Sequence, residues 1–206
     1  MKFFDGLYGY EIVILILGVC LFLAALIKFI KEKKPNAGLI VFFLVSVGMV
    51  GYPSWQSIEY KDGVFSIQKK IHDLQANPGN ETLRASLQQE VSKVEARPSN
   101  TPEANLAVAQ AHFALGNETV AKEKLATVLQ KAPEVPEAQE LKNRIELSDK
   151  LAALTAKAET APNDPATKAQ LDQAVKQAEQ VKFANPNTLR TVNKAQSILR
   201  AQAVNH

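Results

Sequence analysis

Hydrophobic and polar positions divide the chain into two unlike parts. Ile12 to Ile27 is a run of sixteen residues without a charge, bounded by Glu11 and Lys28. A helix of about 20 residues crosses a hydrocarbon core of about 30 Å. Lys28 can carry its ammonium outward on an apolar stem, which brings Phe29 and Ile30 into the run. Pro35 to Ile58 is a second charge-free stretch, and Lys31-Glu32-Lys33-Lys34-Pro35-Asn36 lies between the two. The pattern predicts a hairpin of two transmembrane helices, near 10–31 and 36–54, inside an anchor of residues 1–58.

Beyond Ile58 the pattern changes. Ile58-Glu59-Tyr60 and Val64-Phe65-Ser66-Ile67 flank Lys61-Asp62-Gly63, and Asp-Gly between alternating segments signals a β-hairpin. Residues 59–79 therefore read as a connector followed by a first soluble helix. From Val64 the apolar period becomes helical, through Ile67, Ile71 and Leu74. Prolines then punctuate the chain at Pro78, Pro98, Pro133, Pro162 and Pro186, as expected just past helix ends. Asn80, Thr101 and Asn163 or Asp164 are plausible caps for the helices that follow. The helices expected are 64–76, 80–96, 102–115, 118–131, 135–159, 164–183 and 187–203. Apart from the short connector, the fold class is all-α, a transmembrane hairpin followed by a helical domain over 80–206.

Charge and composition sharpen this. The first 55 residues hold five lysines and three acids, so the net +3 divides into +2 on the anchor and +1 on the polar body. A nearly neutral body does not read as a nucleic-acid binder, which needs a basic surplus on one face. One cysteine excludes a disulfide framework and a thiolate zinc cluster. All nine glycines lie at or before Gly116, which removes phosphate-cradling loops and the dinucleotide fingerprint.

The lysines also suggest an orientation. Lys28, Lys31, Lys33 and Lys34 at one end of the hairpin are matched in number by Lys2, Lys61, Lys69 and Lys70 at the other. The first four crowd within seven residues, whereas Lys69 and Lys70 lie far down the chain, and the second end also holds Asp5, Glu11, Glu59 and Asp62. Clustered basic residues stay cytoplasmic. The expected location is a bacterial inner membrane, multi-pass, with the N-terminus and the polar body in the periplasm. Tyr8, Tyr10, Tyr52, Trp55 and Tyr60 all fall at the end opposite the lysines, as an interfacial belt would. Two alternatives were weighed. A cleaved signal peptide lacks a basic start and a small-x-small site. A lipoprotein box at Leu17-Gly18-Val19-Cys20 has too large a residue at Val19.

The segment Pro102–Val135 is a 34-residue unit of two helices joined at Leu115-Gly116-Asn117. Ala109 stands where close helix contact needs a small residue. Ala121 sits at the crossing position of the second helix, Leu125 and Val128 follow on its apolar face, and Pro133 closes the unit. In period and in these residues it resembles a tetratricopeptide (TPR) repeat. Asn105, Val108 and His112 depart from the repeat's usual tryptophan, leucine and tyrosine. Residues 64–97 and 164–203 suggest flanking hairpins, and 136–161 one long helix. The resemblance implies a TPR-like solenoid in a membrane-anchored bacterial TPR protein. It also implies a partner-binding groove at Glu103, Leu106, Gln110, Phe113 and Ala114, with Leu106 and Phe113 alternatively read as core.

No catalytic constellation, cofactor site or metal site emerges. His72, His112 and His206 have no ligand spacing, Ser86, Ser92 and Ser148 have no histidine set to activate them, and the carboxylates sit among lysines on solvated faces. The sequons at Asn80 and Asn117 read as helix starts. The expected function is therefore non-enzymatic, a membrane-anchored scaffold that binds a protein partner or peptide segment. Two alternatives accompany it. One is an assembly chaperone resembling cytochrome c maturation accessory factors, whose loop between spans is typically much longer than the six residues here. The other is a fixed subunit packed against other membrane proteins.

Overall fold

The computed structural model describes residues 6–31, 37–98, 101–161 and 164–204. Every regular element among them is a helix: α1 (Gly9–Lys31), α2 (Ala37–Ala76), α3 (Glu81–Glu95), α4 (Pro102–Leu115), α5 (Glu118–Lys131), α6 (Pro136–Thr160), α7 (Pro165–Val181) and α8 (Pro186–Val204). The lysine-rich turn at 32–36, Lys2, Asp5, Asn163 and His206 lie outside the described residues. The chain forms two compact units, Met1–Phe65 with Lys93–Thr101, and Ser66–Ser92 with Pro102–His206.

From α3 onward the helices fall within about two residues of the expected bounds, whereas the expected end of the second span at 54 and the expected helix start at 64 both disappear inside α2. The β-hairpin connector does not form. Lys61-Asp62-Gly63 is helical, inside an α2 of 40 residues. Tyr60, Gly63, Ile67, Ile71 and Leu74 are buried at spacings of three and four. The helical stripe thus begins before the Asp-Gly pair, and Gly63 is a stripe position rather than a turn.

In the first unit, α1 and the apolar part of α2 are each long and apolar enough to cross a membrane. Their large side chains are open rather than packed in a core, with Val13 54%, Leu17 51% and Leu44 63% exposed. The helices are antiparallel, as α1 meets α2 at Gly18 against Met49 and at Phe22 against Phe43, whose rings lie 5.1 Å apart. A Cβ on Gly18 would stand 2.8 Å from that of Met49, so the missing side chain sets the approach of the helices. Gly18, weighed above as part of a lipoprotein box, has a packing use.

The far end of this hairpin is closed by the segment after α3. Arg97 donates to the carbonyl of Gly6 at 3.1 Å and to Gln56, pairs with Glu11 at 3.4 Å, and covers the Tyr8 ring. Glu11 is 1% exposed and also accepts from the Tyr8 backbone N–H at 2.9 Å. Gly6 N–H donates to Pro98, and the Tyr8 hydroxyl to Ala96. The aromatic belt is thereby corrected at one position. Tyr10, Tyr52 and Trp55 are exposed, but Tyr60 is 3% exposed, lying where a Cβ on Gly6 would strike its ring.

In the second unit, alanines are packed among leucine, isoleucine, valine and phenylalanine in the core. Ala104, Ala107, Ala109, Ala111 and Ala114 of α4 are all buried, as are Ala121 and Ala138. Such small residues let helix backbones approach closely. α6 is the hub, in contact with α4, α5, α7 and α8. Just past its midpoint Asp149 bonds Lys122 of α5 at 2.8 Å. From its middle to its end it is tied to α7 and α8 through a buried Ser148–Thr188 hydrogen bond of 2.7 Å, Lys157–Asp164 and Lys194–Glu159. One 25-residue helix thus serves two hairpins, α4–α5 and α7–α8, whose turns meet beside its middle.

Candidate binding cleft

The cleft is built on the turn after α4. Gly116 has φ +90°, a conformation that favours glycine. Its N–H bonds the Phe113 carbonyl at 3.0 Å while that of Asn117 reaches back to His112 at 2.8 Å. This paired closure is a Schellman motif. It ends α4 so that Phe113 and Ala114 stand at the helix tip, against the turn between α7 and α8. Asn185, 0% exposed, holds that second turn. Its carbonyl oxygen accepts from the N–H groups of Asn187 and Thr188, and its amide donates to Glu118 at 2.9 Å. Asn187 then donates to the Gly116 carbonyl at 3.1 Å.

Arg84 of α3 ties the same place from below. It donates to the carbonyls of Ala114 at 3.0 Å, Pro78 at 2.8 Å and Ala184 at 3.4 Å. The last turn of α4 carries partial negative charge on its unsatisfied carbonyls, which a guanidinium satisfies. Lys70 of α2 reaches Ser86 and Glu90 of α3 in parallel.

Between these elements opens a cleft of about 210 Å³. Phe113 and Phe183 form its floor, edge to face at 6.1 Å. Gln68, His72 and Gln75 of α2 line one wall, Gln110 of α4 another, and Glu137, Glu140 and Arg144 of α6 the third. The volume is below the roughly 300–1,000 Å³ usual for small-molecule sites. It suits one or two side chains of a longer ligand. Glu140 and Arg144 are paired at 2.9 Å, so besides amides the walls carry the carboxylate of Glu137 and the ring of His72.

Of the five groove residues expected from the sequence, Gln110, Phe113 and Ala114 line this cleft. Leu106 is buried in the central apolar cluster, and Glu103 is exposed away from the lining. Phe113 does both things, packing in the cluster and flooring the cleft. His72, Glu137, Arg144 and Phe183 were not singled out as binding residues. They come from two other helices, α2 and α6, and from the turn before α8, and only Glu137 and Arg144 are linked by a local spacing, on one face of α6. His112 is buried, its Nδ1 3.4 Å from the Asn117 amide. Among the described residues no group of three or more His, Cys, Asp or Glu is placed to hold a metal ion. Comparison with family models, curated proteins and solved structures finds no match for this chain.

Proposed function

We propose that this chain is a membrane-anchored, non-enzymatic adaptor whose TPR-like helical body grips a peptide segment of a protein partner. The observation that carries this reading is the cleft, a small aromatic-floored hollow rimmed by amides, beside the α4–α5 hairpin that resembles a TPR repeat. The two apolar helices, with outward-facing Val, Leu and Ile side chains, support a bilayer anchor. The lysine cluster supports a cytoplasmic loop in a bacterial inner membrane, with N-terminus and body periplasmic.

Two experiments test the proposal. Protease added to intact spheroplasts should cleave the body; an uncut carboxyl-terminal portion refutes the orientation. Gln110→Ala, at the rim, should weaken peptide capture by the detergent-solubilised chain without lowering its melting temperature. Unchanged capture removes the groove. Gly48 and Gly51, with open space at both Cβ positions, favour a second reading in which α2 packs against spans of a larger complex. Native electrophoresis of mildly solubilised membranes separates the two, since only a fixed subunit migrates with stoichiometric neighbours.

A further inference from the structure

The cleft floored by Phe113 and Phe183 does not end at α6. A second hollow, of about 500 Å³, lies between α6 and α7, and Glu140 and Arg144 line both. Because these two side chains neutralise each other, they form a ridge between hollows rather than a charged site. Amides flank the ridge, Gln68, Gln75 and Gln110 on one side, Asn143, Gln177 and Gln180 on the other, and the carboxylate of Glu137 and the ring of His72 also line the first hollow. Each primary amide offers both a donor and an acceptor, the same pair that an extended backbone presents at every residue. Apolar side chains line both hollows as well, Ile71, Phe113, Leu141 and Phe183 among those of the first, Leu147 and Val181 in the second.

We infer that these hollows form one track for an extended, uncharged polypeptide segment, which places an apolar side chain in each and crosses the Glu140–Arg144 ridge with its backbone. The inference rests on the groove reading above and extends it to α7. A glycan would need an open ring face to stack on, and Phe113 and Phe183 are 5% and 4% exposed. A polyanion would need unneutralised cations, and Arg144 is paired.

The test uses the full chain in detergent micelles and fluorescent synthetic peptides of serine, threonine and asparagine. At about 3.3 Å per residue, a peptide of about ten residues with two leucines spans both hollows, and one of about four with a single leucine fills only the first. The long peptide should bind roughly ten-fold tighter than the short one, as expected for a few added hydrogen bonds and one buried side chain. Joint Gln177→Ala and Gln180→Ala substitution should abolish that advantage and leave the short peptide unaffected. Gln110→Ala should weaken both. Equal binding of the two lengths, or indifference to the α7 substitutions, overturns the track but spares the groove. Failure of every peptide to bind removes the groove as well. Preference for aspartate- or lysine-bearing peptides, or binding of a chitin oligosaccharide instead, overturns the ligand class.

Discussion

Arg84 concentrates the cost of joining three segments in one side chain. Its guanidinium bonds carbonyls of Pro78, Ala114 and Ala184 and is mostly shielded from solvent. Hydrogen bonds to a charged group contribute about 1.5–3 kcal/mol, and a stranded buried partner costs about as much. Arg84→Met should therefore destabilise the chain by about 2–4 kcal/mol, read as a lower melting temperature in detergent. Lys182 is the opposite case. It ends α7 in the left-handed region at φ 52°, where a Cβ is strained. Lys182→Gly should stabilise by roughly 0.5–1 kcal/mol, and a loss of stability would refute the assignment. Asp164 caps α7. The Thr167 hydroxyl first, then the Ala166 N–H and the Lys157 ammonium, hold its carboxyl below the ordinary 3.8. Its contribution is thus fully present above that value and is lost as pH falls through the lower folded one. Asp164→Asn should flatten the acid limb of the stability profile. Caps such as Asn80, which accepts from the Leu83 N–H at 2.9 Å, and Asp164 were legible because they act on residues two or three positions away. Arg84 was not, because its three partners lie 6, 30 and 100 positions distant.

Helix bounds from α3 onward were legible because prolines stand just past helix ends or at helix starts, whereas Pro53 lies inside α2 without ending it. The missed boundary at 58–67 arose because Asp-Gly is only a local preference. A buried stripe running from Tyr60 to Leu74 outweighs it. Likewise Gly18, one of several small residues in an apolar run, gains meaning only from Met49 across the hairpin. Gly18→Leu should separate α1 from α2 at a cost of about 1–3 kcal/mol, measured as weaker cross-linking between cysteines placed at positions 22 and 43. The Glu11–Arg97 pair makes a sharper prediction. Arg97→Met strands a buried carboxylate and should cost about 3–5 kcal/mol, while joint Glu11→Gln and Arg97→Met substitution should recover most of it. An additive double variant would show that the pair is not a unit.

Over the whole molecule, the helical class and the two long apolar helices followed from periodicity and run length alone. The site followed only in part. Gln110, Phe113 and Ala114 share one face of α4 and could be found from their spacing, but the amides of α2 and α7 enter the track through tertiary packing. The chain also passes repeatedly between its units: α2 leaves the first at Phe65, α3 runs in the second as far as Ser92, and Lys93–Thr101 belong to the first again before α4 begins. Anyone trimming the gene to obtain a tractable fragment inherits that stitch. A version starting after residue 58 deletes Gly6, Tyr8, Glu11 and Gln56 together, leaving Arg97 a guanidinium without its cradle and the α3–α4 junction without its fastening. Such a fragment should lose amide-exchange protection first at residues 93–101, and affinities measured on it should be compared with the intact chain before they are assigned to the protein.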